Sequence, residues 1–307
     1  MVNRNTAELL LRCLDHIFAS DLEGEYQVIV VDNGSSDNSV ARARESYPQI
    51  AVIEAKRNLG FAAANNRAFA IAEGDLLLLV NTDAMLEPDC ARILCDLMSS
   101  GADVGMTGPQ LLNSDGSFQT SYEAVPTLAT ETLNRSLLKR LFPSRYPGKH
   151  VRLTGPEPVE ALIGAVMMIR SAALRQVGGF DEDYFFFLEE TDLAVRLRAV
   201  GWKVVHEPRA RAVHLQGATA RSHGAAARIE FYRSRYLFFR KHYGQGYANL
   251  IKAIFTVNLT LNVSALGLAW LATLGRPRSV ARILRVKRDL LKWHLQGCPD
   301  GPGLPRD

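Results

Sequence analysis

Two kinds of apolar pattern alternate along the first 215 residues or so of the chain. Short continuous apolar runs, such as Leu76–Val80, are typical of strands that are buried on both faces of a parallel sheet. Between them, apolar residues recur every three or four positions, as from Leu10 to Phe18, which predicts amphipathic helices. Strands that alternate with helices predict an α/β fold with an open, mostly parallel sheet and helices on both faces.

The predicted elements follow this alternation. A first helix should be capped by Asn5, with Glu8 at the capping-box position. The segment 119–158 is irregular, and we expect it to cross over the site rather than form a domain. The predicted strands are 26–31, 51–55, 76–80, 104–112, 166–170, 202–205 and 212–215. The predicted helices are 61–73, 88–99, 188–200 and most of the chain from 225 onward.

The last part of the chain has a different composition and divides the prediction into two domains, 1–245 and a helical tail, 246–307. Residues 253–275 carry no charge, but Asn258 and Asn262 interrupt the apolar pattern on one helical face. This favours a helix that lies on a membrane or packs on the domain over a clean span. The basic segment from Arg276 to Lys292 favours peripheral contact with an anionic membrane.

Composition limits the function classes. Of the 307 residues, 47% are hydrophobic and 22% charged, as in an ordinary globular enzyme. The net charge of +4 is too small to indicate a nucleic-acid partner. The four cysteines show no metal-ligand spacing, and no secretory signal opens the chain. We therefore expect reduced thiols in a cytoplasmic enzyme, with peripheral attachment to the inner face of the membrane.

Polar residues follow three of the predicted strands where each strand ends. Asp32, Asn58 and Asp83 each lie at or just after such an end. Ligands of open α/β sheets gather at the carboxyl ends of the strands, so these side chains predict one binding site. Each acid could equally cap its own turn, and for Asp32 alone the two interpretations are even.

Asp83 and His214 are the predicted metal ligands. Mg²⁺ and Mn²⁺ prefer oxygen ligands and keep part of their coordination shell for substrate phosphates. Asn81 stands where an Asp-x-Asp motif has its first acid, so Asp83 must supply more of the binding. A neutral His214 imidazole could complete the shell, although an isolated histidine is usually structural.

Glu189, Glu190 and Asp192 follow an aromatic run, Tyr184–Phe187. Adjacent acids beside apolar bulk are groups whose pKa values can be raised, as a general base requires. Asp192 and Arg196 are four residues apart and can pair on a helix. Helix capping is the competing interpretation, because acids favour a helix N-terminus.

Together these pieces resemble the family 2 glycosyltransferases of GT-A fold, especially their rhamnosyltransferase-like branch. The match keeps its order over roughly residues 2 to 245. The matching segments are 30–37, 58–66, 79–83, 164–170, 178–182, 189–193 with Arg196, and 214–217.

The resemblance implies an inverting transfer of a sugar, plausibly rhamnose, from a nucleoside-diphosphate sugar to a glycan or lipid-linked acceptor of the cell surface. Glu190 would be the catalytic base, with Glu189 and Asp192 beside it. Asp83 would hold the metal and diphosphate, assisted by His214. The implied donor-binding residues are Asp32, Asn33, Asn58, Gly60, Asn65, Asn81 and Asp83.

The sequence departs from the family pattern at its start. The apolar strand that normally precedes a segment like Val2–Asn5 is nearly absent. A truncated, inactive relative that only binds glycans or partners is therefore an alternative. A sugar nucleotidyltransferase is a weaker one, because we find no glycine-rich, basic phosphate loop near the N-terminus.

Overall fold

The computed structural model describes residues 1–22, 24–142, 153–215, 224–273 and 278–306. Gln216 and Gly217 of the sequence match, and Arg276 at the start of the basic segment, lie outside these ranges. The strands are β1 Val2–Asn3, β2 Ile29–Asp32, β3 Ala51–Glu54, β4 Leu76–Val80, β5 Ala84–Leu86, β6 Val104–Leu112, β7 Tyr122–Glu123, β8 Glu157–Pro158, β9 Ala161–Leu162, β10 Val166–Arg170 and β11 Lys203–His214. The helices are α1 Ala7–Phe18, α2 Ser39–Ser46, α3 Phe61–Phe69, α4 Cys90–Ser100, α5 Leu128–Thr132, α6 Arg135–Leu141, α7 Ser171–Val177, α8 Glu189–Ala199, α9 Gly224–Tyr243, α10 Gln245–Ala272 and α11 Arg278–Leu295.

The strands form a parallel sheet and a mixed one. β1, β2 and β3 pair in parallel in that order. The second sheet has the order β4-β10-β6-β11-β5, with β8 added beside β11. β6 and β11 are parallel, whereas β10 runs antiparallel to β4 and β6, and β5 runs antiparallel to β11. A short antiparallel pair, β7 and β9, lies apart from both.

Helices cover both faces of the second sheet, as β10 shows. Val166 and Met168 face one apolar cluster that includes residues of α1 and α4. Met167 and Ile169 face the other, which includes residues of α3, α7 and α8. Successive side chains of a strand point to opposite faces, so a strand covered on both sides must be apolar throughout. The prediction of a doubly covered sheet is therefore confirmed.

The first strand is short but present. Val2 pairs with Val31, and Asn3 pairs with Asp32. The backbone N–H of Asn33 donates to the carbonyl of Asn3 at 2.8 Å. Two residues are enough to place a parallel neighbour beside the carboxyl end of β2, where the sequence predicts the site. The first strand is therefore as short as the sequence indicates, and it pairs only with the carboxyl end of β2.

The predicted capping box of the first helix is wrong. Thr6 is the N-cap residue, and its side chain makes no capping bond. Asn5 has a positive φ of 53°, and its Oδ1 accepts from the Ser36 N–H at 2.7 Å. Glu8 pairs instead with Arg42 of α2. The Asn5 side chain, which the local pattern predicts as the helix cap, therefore bonds to the loop after β2 instead.

The two strands predicted at 202–205 and 212–215 are one strand, β11. Its pairing with β6 shifts between Glu207 and Arg211. Pro208 lies within this shift, where a residue without an N–H donor is tolerated. Arg209 folds back onto the buried Glu207 carboxylate at 2.7 Å and stabilises the irregularity.

The tail contains the long helices α10 and α11, and both contact α9, which precedes the predicted boundary at residue 245. Within the described residues, α10 is the one helix that is long and apolar enough to cross a membrane, and 6% of its most apolar stretch is buried. The face that carries Asn262 meets α11, since Lys287 Nζ donates to Asn262 Oδ1 at 3.0 Å. Val257, Leu261 and Leu268 are exposed. One face of α10 therefore packs on its neighbouring helices, and its most apolar stretch is largely exposed.

Candidate active site

A cavity of about 410 Å³ opens at the carboxyl ends of β2 and β4, and we call it the main cavity. Its wall brings together segments that are far apart in the sequence. The predicted site residues that line it are Asn33, Asn58, Gly60, Asn81, Asp83, Glu189, Glu190 and His214.

One rim is a loop held by paired amides. Asn33 Nδ2 donates to Asn58 Oδ1 at 3.0 Å, and the Leu59 N–H donates to Asn33 Oδ1 at 2.7 Å. Asn58 Oδ1 also accepts from the Gly60 N–H at 3.2 Å. These contacts fix the orientation of the Asn58 amide, and its Nδ2 donates to the Pro305 carbonyl at 2.8 Å.

Gly60 occupies a position where no other residue fits. Its φ is +84°, a conformation that L side chains rarely adopt. An added Cβ would overlap the carbonyl oxygen of Phe185, which accepts from the Phe61 N–H at 2.8 Å. This close approach joins the loop before α3 to the aromatic segment 185–187, which precedes α8.

Asp83 and His214 face each other across another part of the main cavity. His214 Nε2 lies 3.5 Å from Asp83 Oδ1. On its other side, His214 Nδ1 is 2.9 Å from Gln119 Oε1. The Gln119 amide nitrogen donates to Asn113 Oδ1 at 2.9 Å and to the His214 carbonyl at 2.8 Å, which leaves Oε1 as the acceptor. The Nδ1 atom therefore carries the proton.

This arrangement tests whether the residues suit a metal ion. With Nδ1 turned toward Gln119, His214 Nε2 and Asp83 Oδ1 point at each other 3.5 Å apart, close enough to ligate one cation together. A divalent cation suits this pair, and Gln119 then acts as the outer partner that orients a ligating histidine. Among the described residues no group of three or more acids, histidines or cysteines could hold a metal. Asp83 and His214 thus fit a cation that takes its remaining ligands from water and a diphosphate.

Glu190 lies on the first turn of α8 and lines the main cavity. Its Oε2 is shielded from solvent and has no hydrogen-bond partner among the described residues. Burial, helped by the charge of Glu123, raises the pKa of Glu190 from 4.5 to about 7. Burial and the neighbouring Glu190 charge also raise the pKa of Glu189 well above its usual value. A carboxyl group with a pKa near 7 is suited to general base catalysis at neutral pH.

The backbone around α8 is built closely against Glu190. A Cβ on Gly164 would lie 3.4 Å from the Glu190 carboxyl group. Phe187 and Leu188, just before the helix, have positive φ values of 75° and 67°. Such conformations are strained for bulky residues and often occur at functional sites. They turn the chain so that α8 begins at the cavity wall.

Three predicted site residues do not line the main cavity. Asp32 is buried beside it, with Oδ1 accepting from Asn3 Nδ2 and Oδ2 from the Ser35 N–H, both at 3.0 Å. Asn65 Nδ2 donates to the Phe61 carbonyl within α3 at 2.9 Å. Asp192 is the third.

Asp192 is fully buried in an ion-pair cluster that ties α8 to α9. Its Oδ1 lies 2.8 Å from both His242 Nε2 and Lys241 Nζ, and its Oδ2 lies 2.7 Å from Arg196 Nε. Burial opposes ionisation, but hydrogen bonds from His242 and Lys241 and the Arg196 charge outweigh it and lower the pKa of Asp192 to about 2. The structure therefore separates Asp192 from the two glutamates with which the sequence grouped it.

Several cavity residues were not predicted. Phe185, Phe186 and Phe187 form an apolar wall, although the sequence indicated them only as bulk beside the acids. Their consecutive aromatic character was the available signal. Ala227 of α9 and Leu304 of the tail also line the main cavity, and no local pattern marks them. Arg4 and Thr82 also line the cavity.

Comparison with known proteins gives a family match and glycosyltransferase relatives. Residues 1–178 match the family Glycosyl transferase family 2. An N-acetylglucosaminyl-diphospho-decaprenol L-rhamnosyltransferase of Mycobacterium tuberculosis is 31% identical over 232 residues, covering 70% of this chain and 75% of that protein. A low-salt glycan biosynthesis hexosyltransferase of Haloferax volcanii is 28% identical, covering 58% of this chain and 55% of that protein.

Solved structures agree on the fold. A mannosyltransferase of Pyrobaculum calidifontis, in complex with GDP-Man and Mn²⁺, superposes with a TM-score of 0.57 at 18% identity, covering 98% of this chain and 86% of that one. GalNAc-T7 with UDP, GalNAc and Mn²⁺ gives a TM-score of 0.54 at 16% identity, covering 69% and 42%. The predicted GT-A fold is confirmed. With its family match over more than half of the sequence, this chain belongs to the family 2 glycosyltransferases.

Proposed function

We propose that the protein transfers a sugar, with inversion, from a nucleoside-diphosphate sugar to a lipid-linked or glycan acceptor during synthesis of a cell-surface polysaccharide. One observation carries this proposal. The main cavity contains both a carboxyl group with a pKa near 7, Glu190, and the Asp83–His214 pair that suits a diphosphate-bound cation.

The reaction is a single displacement at the anomeric carbon. Glu190 removes the proton of the acceptor hydroxyl as its oxygen bonds to the anomeric carbon. The bond from that carbon to the diphosphate oxygen breaks, and its electron pair leaves with the nucleoside diphosphate. A divalent cation bound by Asp83 and His214 would offset the charge that builds on this leaving group. The hydrophobic wall of Phe185–Phe187 excludes water that would otherwise hydrolyse the donor.

The remaining predicted residues then divide between binding and positioning. Asn58 presents Nδ2 to the nucleotide, and Asn33 and Gly60 hold it in that orientation. Asp32 fixes the strand ends through Asn3 and Ser35, close to the donor but behind the cavity wall. Asp192 holds α8, and thereby Glu190, against α9.

The donor is proposed to be a deoxythymidine-diphosphate rhamnose, on the strength of the rhamnosyltransferase relative. A screen of nucleoside-diphosphate sugars with Mg²⁺ and Mn²⁺, measuring released nucleoside diphosphate, tests this. Release that requires both one sugar nucleotide and a divalent cation supports the proposal. A protein that releases no nucleoside diphosphate from any donor, with its acceptor present, contradicts it.

We also propose that the exposed apolar face of α10 contacts the cytoplasmic face of a membrane, where a lipid-linked acceptor is reached. Basic residues of α11 suit anionic headgroups. Sedimentation with vesicles that contain phosphatidylglycerol should fall several-fold when Leu261 and Leu268 are both replaced by Glu. Val200→Glu, at an exposed aliphatic position just after α8, is the control. If the α10 variant sediments with vesicles as the wild type does, the proposed membrane contact of α10 is wrong.

A further inference from the structure

The last described residues leave α11 and return to the main cavity. Leu304 lines this cavity, and the Pro305 carbonyl accepts from Asn58 Nδ2 at 2.8 Å. We call residues 299–306 the strap and residues 303–306 its tip. The strap therefore contacts the rim that the proposed function gives to the nucleotide.

The contact at Asn58 is of the kind a ligand would make. Because Asn58 Oδ1 already accepts from Asn33 and Gly60, its Nδ2 is the group that faces outward. A base or ribose that binds there must present an acceptor oxygen, as the Pro305 carbonyl does now. The strap and a nucleotide thus compete for the same donor.

Arg306 makes a second contact on the same side. Its guanidinium group lies 4.5 Å from the centre of the Phe185 ring, which lines the main cavity. One of its nitrogens is 2.7 Å from Glu230 Oε1, a buried carboxylate of α9. Arg306 thereby covers part of the aromatic wall and holds the tip in place.

The base of the strap is held by contacts separate from those of its tip. Arg233 donates to the carbonyls of Asp300 at 2.9 Å and Pro302 at 2.6 Å. Trp293 Nε1 donates to the Pro299 carbonyl at 2.9 Å. Gly303, with a φ of +147°, follows this anchored part and packs against Arg233, so it can act as a hinge for the tip.

We propose that the tip of the strap is an autoinhibitory lid that competes with the nucleotide for the main cavity. This inference rests on the proposed function, which assigns the cavity to a nucleotide. A protein that is competent to bind for only a fraction of the time has an apparent Kd raised by the inverse of that fraction. A tip closed for about nine-tenths of the time weakens nucleotide binding about tenfold.

Titration calorimetry of the full chain and of two variants with UDP, TDP and GDP, each with Mn²⁺, tests the lid. The first variant ends after Pro302 and keeps the carbonyls that Arg233 holds. The second is Arg306→Ala, and Arg288→Ala, an exposed arginine of α11, is its matched control. The truncated variant should bind nucleotide about 3- to 10-fold more tightly. Arg306→Ala should shift affinity in the same direction, and the control should not.

Unchanged or weaker binding by the truncated variant would overturn the lid, since the strap would then be irrelevant or part of the donor site. Hydrogen exchange gives a second readout: nucleotide should speed exchange at the Leu304 and Arg306 amides, and protection there would also overturn it. If full chain and variants bind with equal affinity, the lid fails and the proposed function stands. If none of them binds any nucleotide, both fail.

Discussion

Glu190→Gln tests the proposed chemistry most directly, because glutamine keeps the shape of the side chain and removes its basicity. Loss of a positioned general base typically lowers the rate by about 10²- to 10⁴-fold, which corresponds to about 3 to 5 kcal/mol of activation free energy. Nucleotide affinity should stay within about twofold, because the Asp83–His214 pair and the Asn58 rim are untouched.

The same substitution has a consequence for stability that depends on pH. The folded-state pKa of Glu190 is raised from 4.5 to about 7, so its neutral form is favoured by folding. The stabilisation that folding gains from neutral Glu190 is fully present below pH 4.5, and it is lost as the pH rises through 7. The shift corresponds to about 3 kcal/mol. Glutamine stays neutral, so the variant should gain about 2 to 3 kcal/mol relative to the wild type between pH 5 and pH 8.

Three measurements check this reasoning. The wild-type transfer rate should rise with pH and level off above an inflection near 7, where Glu190 loses its proton. Urea unfolding at pH 5 and pH 8 gives the stability difference, and single-turnover transfer gives the rate. Glu73→Gln, at an exposed position outside the main cavity, is the control. A Gln variant that retains a tenth or more of the wild-type rate, or a flat pH profile between 6 and 8, would refute the role of Glu190.

Three further predictions concern the supports of the site. Gln119→Leu removes the acceptor that keeps the proton on His214 Nδ1, so Mn²⁺-dependent nucleotide binding should weaken about 10- to 100-fold; calorimetry that gives equal affinity contradicts the metal pair. Gly60→Ala forces a strained φ and an overlap with the aromatic wall, so it should cost about 1 to 3 kcal/mol and weaken nucleotide binding. The control is Gly246→Ala, because an alanine at this position of α10 meets open space and should be neutral or stabilising. If the Gly60→Ala variant is as stable as the Gly246→Ala variant, the strain at Gly60 is disproved. Asp192→Asn removes the buried carboxylate that Arg196 and Lys241 face, and it should lower the free energy of unfolding at pH 7 by about 2 to 3 kcal/mol, measured in urea. Because the folded-state pKa of Asp192 is lowered to about 2, the wild type should lose this advantage as the pH falls from 3.8 through 2, and a difference that persists there would count against the ion pairs.

The fold was largely predictable because its signals are local. β4, β6 and β10 have the bounds that the sequence predicts. For β4 and β10 the signal is a continuous apolar run, because neighbouring elements cover both faces of these strands. The predictions were wrong where a side chain bonds to a segment that is distant in the sequence, or where a strand continues through an irregularity. Asn5 serves the loop after β2 instead of capping α1, and β11 continues past Pro208 through an irregularity that β6 tolerates.

The candidate site was also predicted only in part. Sequence by itself determined which polar residues follow the strands, because parallel strands bring their carboxyl ends to one edge regardless of detail. Only the tertiary structure decided which of them reach the cavity. Asp192 belongs with the two glutamates in sequence, but packing of α8 on α9 buries it among cations.

The contacts that give the remaining residues their roles span large distances along the chain. Gln119 orients His214 from 95 residues away, and the Pro305 carbonyl meets Asn58 from 247 residues away. No periodicity or spacing encodes such pairs, because they depend on how distant segments of the chain pack together. The sequence therefore determined the kinds of chemical groups at the site, and the packing decided which group each one faces.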